Sequence, residues 1–316
     1  LAARRRVATA ISLGAFMTRV AEAPPAPPDP SIKSGIEDKL RSIIMTTRDL
    51  PAMPQVAAKV LELSSDPDTS AQKLQQVIAD DQAMTARILK IANSAMYSCS
   101  RRIKTLTEAI VMLGFNSIRS LVVTSAARNL YNTHSSRTGL KERLLWEHSI
   151  GAAFACRILA EAHAPKYTEE AFLAGLLHDI GKLVLNQKAP REFDEIVQVV
   201  YNQNRTFHKT ERIILGFDHA QVGGLLISKW KLASILEEVI CNHHDPAILQ
   251  DENPLHAILD LGNKICHKMG IGFVEDPDFD LVGCPANNRF QLQAEDFETI
   301  MELVRTTLET EMEIFV

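Results

Sequence analysis

The chain has 316 residues, 46% hydrophobic, 23% charged and only 6% aromatic. That is enough apolar material for a sizeable core and excludes wholesale disorder. The formal net charge of −5 and a pI near 6.1 exclude a chain-wide basic footprint for nucleic acid.

No uninterrupted apolar run approaches the roughly 20 residues of a membrane-spanning helix, so a soluble chain without a membrane partner is expected. Abundant Ala, Leu and Ile favour helix over sheet, and the expected fold class is all-α. The five cysteines (Cys99, Cys156, Cys241, Cys266, Cys284) are scattered and form no CxxC pair. They read as reduced thiols in a cytoplasmic protein rather than a disulfide framework or zinc ribbon.

Residues 1–36 differ from the rest. Arg4-Arg5-Arg6, an apolar stretch and a small-residue segment imitate a signal peptide, but Thr18-Arg19 interrupts the run. The segment is read as a short helix followed by a polyproline-like linker around Pro24–Pro30.

Residues 37–135 are expected to form a helical N-terminal lobe. Leu50-Pro51-Ala52-Met53-Pro54 is a rigid turn, and Gln55–Ser64 repeats apolar residues at helical spacing. Ser70 is the candidate N-cap of a helix over Ala71–Ala79, and Ala83–Ala92 continues as another. Ile103–Leu113 follows, stopped by Gly114, and then Ser117–Asn129. Nothing here clusters ligand-type side chains, so this half reads as a scaffold or interaction module.

Residues 136–285 form a second helical block, expected to hold the chemistry. Residues 286–316 carry a terminal amphipathic helix from about Ala294, with Phe297, Ile300, Met301, Val304 and Leu308 on one stripe. Such a stripe docks on its own domain or forms the seam of a homodimer.

Ten histidines are many for this length, and all but His134 lie between Leu144 and Lys268. The run Leu176-Leu177-His178-Asp179-Ile180-Gly181-Lys182 sets an ionisable pair beside apolar helix residues that face a core. A buried carboxylate needs a cation close by. A divalent transition metal such as Fe, Mn, Ni or Zn meets that need, because imidazole and carboxylate are suitable ligands. His148, His219, His243, His244 and Asp260 accompany the pair, each in a helical context. Side chains projecting inward from several helices are a common way to build a metal site. His178-Asp179 alone reads equally well as a structural pair. His256, four residues before Asp260, is either a partner of the site or a core histidine, and His163, His208 and His267 are read as peripheral.

His148, His178-Asp179 and Asp260, in that order on helices, resemble the metal-binding set of the HD superfamily of phosphohydrolases. The wider layout resembles the HDOD family. The matching features are Leu50–Pro54, Ile78–Thr85, Ile91–Tyr97, Ile103–Gly114, Asp218-His219, Trp230 and Asn242-His243-His244-Asp245-Pro246, spanning roughly residues 45–268. The resemblance implies a two-lobed, all-α signalling module that acts through a protein partner or a nucleotide ligand.

By similarity to the related HD-GYP phosphodiesterases of cyclic di-GMP, His148, His178, Asp179 and Asp260 would hold a first metal. Asp179 would bridge to a second, supported by His219 and by His243 or His244. Asp245-Pro246-Ala247 replaces the Gly-Tyr-Pro loop of those enzymes, which argues against cyclic di-GMP as substrate. The resemblance therefore leaves two functions open. One is a regulatory module with a structural or ligand-sensing metal site of one or two ions. The other is a metal-dependent phosphohydrolase acting on a nucleotide or cyclic dinucleotide, in which Asp179 and Lys182 take part in catalysis and Lys182 stabilises developing negative charge.

Overall fold

The computed structural model describes residues 50–64, 66, 68–97, 101–131, 139–203 and 205–315. The expected N-terminal helix and linker of residues 1–36 lie outside the described residues. Among those described, every regular element is helical and there is no strand, as the composition predicts. The chain divides into two units, residues 185–218 and residues 50–184 with 219–315.

The larger unit opens with Leu50 and Pro51, whose carbonyls accept hydrogen bonds from Lys229 Nζ and the Trp230 indole at 2.5 and 3.0 Å. Two motifs almost 180 residues apart are thereby joined. Helix α1 (Gln55–Ser64) buries Ala57, Val60, Leu61 and Leu63. Helix α2 (Ala71–Ala79) starts at Ser70, whose hydroxyl caps the Lys73 amide at 3.2 Å. Helix α3 (Gln82–Ala92) starts at Asp81, which caps Met84 at 2.9 Å. Side-chain caps of this kind satisfy donors that a helix start leaves open. At the end of α3, the Asn93 amide accepts from Ile103 N and donates to Ile103 O, which fixes the loop between them.

Helix α4 (Leu106–Tyr131) packs on α1, α2 and α3. The stop expected at Gly114 is a sharp kink, with φ 78° and ψ 169°, and helical pairing resumes at once. A left-handed φ is tolerated there because glycine has no Cβ. By length and composition α4 is able to cross a membrane, but 61% of its most apolar window is buried inside the fold.

Helix α5 (Leu140–His163) is the spine of the unit, and α6 (Thr168–Leu177) packs along it. Helix α7 (Ile180–Lys188) follows after a two-residue corner. In the smaller unit, α8 (Pro190–Gln203) pairs with α9 (Phe207–Leu215), and the Phe193 and Phe207 rings stack 6.3 Å apart. Arg212 Nε closes that unit on Asp218 Oδ2 at 2.6 Å.

Back in the larger unit, α10 (His219–Lys229) packs on α11 (Ser234–Asn242), while α12 (Pro254–Lys268) packs on α5 and α6. The terminal helix α13 (Ala294–Phe315) docks on α5 through buried Phe297, Ile300 and Val304. Its apolar stripe is thus used within the chain. The four described cysteines are all free thiols.

Candidate metal centre

Helix α6 is buried from Ala171 to Leu177, so the residues that end it are carried into the core. His178 caps the helix and Asp179 occupies the corner before α7. Burying a carboxylate here is unfavourable unless cations or donors surround it. The neighbouring helices supply them.

Gly181 makes the meeting possible. A Cβ at this position would overlap the backbone carbonyl of His219, the first residue of α10. Only glycine lets the start of α7 approach the start of α10 so closely, and that approach carries His219 to the carboxylate.

Asp179 stands between two groups of side chains. Its Oδ2 lies 3.5 Å from His148 Nε2 and 3.4 Å from His178 Nε2. Its Oδ1 lies 3.1 Å from His219 Nε2 and 4.0 Å from His243 Nε2. One group that suits a metal ion comprises His148, His178 and Asp179; the other comprises His219, His243 and His244. In each, the donor atoms lie within 4.8 Å of one another.

Three imidazoles are held in one tautomer by the backbone. Nδ1 of His148, His178 and His243 faces the carbonyls of Ile271, Gly175 and Ile240 at 2.9, 2.8 and 2.7 Å. A carbonyl only accepts, so each Nδ1 donates to the backbone and each ring turns its Nε2 towards the site. All three Nε2 atoms are buried without a hydrogen-bond partner among the described residues. Orientation of a ligating imidazole through its other nitrogen is the usual arrangement around protein-bound metals. His219 and His244 face each other through their Nε2 atoms at 2.9 Å.

The electrostatics agree with a neutral-imidazole site. Burial lowers His148 to about 4, against the opposing pull of Asp179, and lowers His243 well below its ordinary value. Burial would raise the Asp179 carboxyl, but His178 and Lys182 outweigh it and hold the group well below the carboxylate range. Lys182 Nζ lies 2.7 Å from Asp179 Oδ2, so a lysine ammonium pairs with the carboxylate for which a metal cation was expected.

Asp260 does not join either group. It was expected to be a ligand of the first metal, yet its carboxylate pairs with Lys264 Nζ at 2.6 Å. The reason is its position along α12. His267 on the same helix reaches the centre, and Asp260 sits seven residues earlier, about 10 Å along the axis at 1.5 Å per residue.

His267 corrects the peripheral reading. Its ring stacks on His148, 5.3 Å between centroids and 16° between planes, and burial holds its pKa well below the ordinary value. Asn263, one turn earlier on the same face, has a buried Oδ1 with no partner among the described residues. The i, i+4 spacing of Asn263 and His267 was the available sequence signal. His163 is exposed and His208 half-buried, while His134 lies outside the described residues.

His256 is buried, with no hydrogen bond to either ring nitrogen among the described residues and its Nε2 3.9 Å from Glu238 Oε1. It lines a cavity of about 170 Å³ together with His243, His244, Asp260 and Lys264. Asp245-Pro246 opens a 3₁₀ turn over Pro246–Gln250, capped by Asp245 Oδ1 on Ala247 N at 2.9 Å.

Comparison with known proteins identifies this architecture. The sequence pattern defining the HDOD domain matches residues 50–246. The chain belongs to the HDOD family.

Among solved structures it is similar to an HDOD domain protein of unknown function from Geobacter sulfurreducens. The two are 26% identical with a TM-score of 0.68, over 87% of this chain and 97% of that one. A candidate phosphohydrolase from Shewanella amazonensis has 24% identity, a TM-score of 0.68 and the same coverages. A candidate signal transduction protein from Marinobacter aquaeolei has 22% identity and a TM-score of 0.67, over 98% of this chain and 65% of that one. These last two share the fold. An uncharacterised protein of Treponema pallidum is 23% identical over 266 residues, 83% of this chain and 49% of that protein. The HDOD chain therefore spans about half the length of the curated relative it matches.

Proposed function

We propose that this HDOD chain is a regulatory, signal-transducing module whose His/Asp constellation binds one or two divalent transition-metal ions. The observation that carries the reading is the carboxylate of Asp179 set between two histidine groups, with its two oxygens turned to different groups. His148 and His178 with Asp179 would hold one ion, and His219, His243 and His244 the other. The residues fit such ions because the Nε2 atoms of His148, His178 and His243 are buried without a hydrogen-bond partner among the described residues. Imidazole and carboxylate donors suit Fe, Mn, Ni or Zn.

The cavity beside His243 and His244 favours regulation over hydrolysis. At about 170 Å³ it is smaller than the roughly 300–1,000 Å³ of pockets that enclose a nucleotide-sized ligand. The hydrolase reading draws support from Lys182, whose ammonium lies beside Asp179, where it would stabilise charge developing on a phosphoryl group. A bound metal would supply Lewis acidity and lower the pKa of water.

Metal analysis of purified protein tests the first reading. Wild type is expected to carry transition metal and Asp179→Ala to carry none. Metal-free wild-type protein purified without chelator would sink it. Turnover of a phosphodiester such as bis(p-nitrophenyl) phosphate by wild type, lost in Asp179→Ala, would replace regulation by hydrolysis.

A further inference from the structure

A second concavity lies at the far end of α5 from the metal centre. His163 closes α5, fifteen residues or about 22 Å beyond His148 at 1.5 Å per residue. Pro254 opens α12, thirteen residues from His267, so the two helices run from the metal centre to this cleft together. The cleft measures about 580 Å³ and is lined by residues 163–167 with Pro254, Arg289 and Phe290. That volume lies within the range of pockets for small ligands of nucleotide size.

Its chemistry has two parts. Lys166 and Arg289 supply positive charge, and no carboxylate is among the lining residues. Arg289 donates Nη1 to the Asp251 carbonyl at 3.0 Å and Nη2 to the Glu252 carbonyl. These bonds orient the guanidinium, and no carboxylate pairs with it among the described residues. Lys166 Nζ sits over the Tyr167 ring, 4.7 Å from its centroid, which keeps the ammonium on the cleft wall.

The second part is aromatic. The His163 and Phe290 rings meet at 5.3 Å with a 47° tilt, and Phe290 and Tyr167 are only half-buried. Cations beside accessible ring faces suit a ligand that carries phosphate on a planar aromatic base. Inorganic phosphate would leave the rings unused, and a nucleoside would leave the cations unused.

We propose that this cleft is a second ligand site of the HDOD chain, taking a mononucleotide. Its phosphate sits between Lys166 and Arg289 and its base lies against Phe290. The site is separate from the metal centre, and the proposal stands whether that centre is regulatory or hydrolytic.

Calorimetric titration of the full chain with AMP and GMP at low salt tests it. Saturable binding at one site per chain is expected, weakened about tenfold or more in both Lys166→Gln and Phe290→Ala. Both substitutions leave buried core residues in place, and circular dichroism checks that the fold is retained. Adenosine and inorganic phosphate should each bind more weakly than AMP, and His244→Ala should bind AMP as wild type does.

Absence of saturable binding below about 1 mM would overturn the proposal. So would unchanged affinity in both cleft variants. Loss of binding in His244→Ala alone would assign the nucleotide to the metal centre. A single-stranded oligonucleotide that binds more tightly per site than AMP would make the cleft a nucleic-acid surface instead.

Discussion

Lys182 Nζ lies 2.7 Å from Asp179 Oδ2, one helical turn along the chain, and both side chains are buried. The ammonium thus competes with any divalent ion for the same carboxylate oxygen. In Lys182→Met the metal-free chain retains a buried carboxylate without its nearest cation and loses stability. Metal binding at Asp179 then meets less repulsion and tightens by about tenfold or more. Thermal melts with and without added Mn²⁺ or Zn²⁺ read both effects, and a smaller metal-induced rise in Tm than in wild type would contradict this account.

Asp179 lies between the two histidine groups, with Oδ2 towards His148 and His178 and Oδ1 towards His219 and His243. With both positions filled, His148→Ala and His219→Ala should each reduce bound metal to about half the wild-type content, whereas Asp179→Ala removes all of it. Elemental analysis of the three variants distinguishes this from a single-ion site, in which one of the two histidine substitutions leaves metal content unchanged.

Gly181 predicts a packing defect. Gly181→Ala forces a methyl group against the His219 carbonyl, and neither helix start is able to yield without moving a metal-site residue. A loss of about 1–3 kcal/mol is expected from overpacking, together with weaker metal binding. Urea unfolding and metal titration measure the two effects separately; a variant with both properties of wild type would show that the contact relaxes freely.

Acid should destabilise the metal-free chain. Burial lowers His148 from 6.5 to about 4, and lowers His243 and His267 well below 6.5. Between these values the unfolded chain binds more protons than the folded one, so stability rises with pH across that window. Stability contributed by the neutral imidazoles is present above about pH 6.5 and is lost as pH falls towards about 4. Asp179, held below 3.8, adds a further loss at still lower pH. Urea midpoints at about pH 7, 6 and 5 should decline in order, and a flat series would exclude buried neutral histidines.

Away from the centre, Arg157 ties α5 to α6. Its Nη1 lies 3.1 Å from Glu169 Oε1 and its Nε 2.9 Å from Glu161, while the Tyr97 ring covers the guanidinium at 4.9 Å. Ser117 donates to the same Glu169 oxygen at 2.9 Å. Arg157→Met leaves the partly buried Glu169 without its cation, and a loss of about 1–3 kcal/mol in unfolding free energy is expected. A change under about 1 kcal/mol would mean that water reaches Glu169.

Much of this molecule was legible from local chemistry. Helical periodicity, the caps Ser70 and Asp81 and the break at Gly114 act over a few residues, so their structural consequences are readable in order along the chain. The candidate ligands were legible for a related reason. His178-Asp179 at the end of an apolar helix needs partners, and the pattern names the residue types able to serve.

The sequence by itself determined an all-α HDOD chain with a surplus of imidazoles around one buried carboxylate. Only the tertiary structure decided which imidazoles meet it. It brought His267 to His148 and left Asp260 with Lys264, because two turns of α12 separate the two positions by about 10 Å. It also decided which nitrogen each ring presents, since the carbonyls of Gly175, Ile240 and Ile271 that fix the tautomers belong to backbone that side-chain patterns do not describe. Residue type is written in the chain, but distance and proton placement arise when separate helices pack.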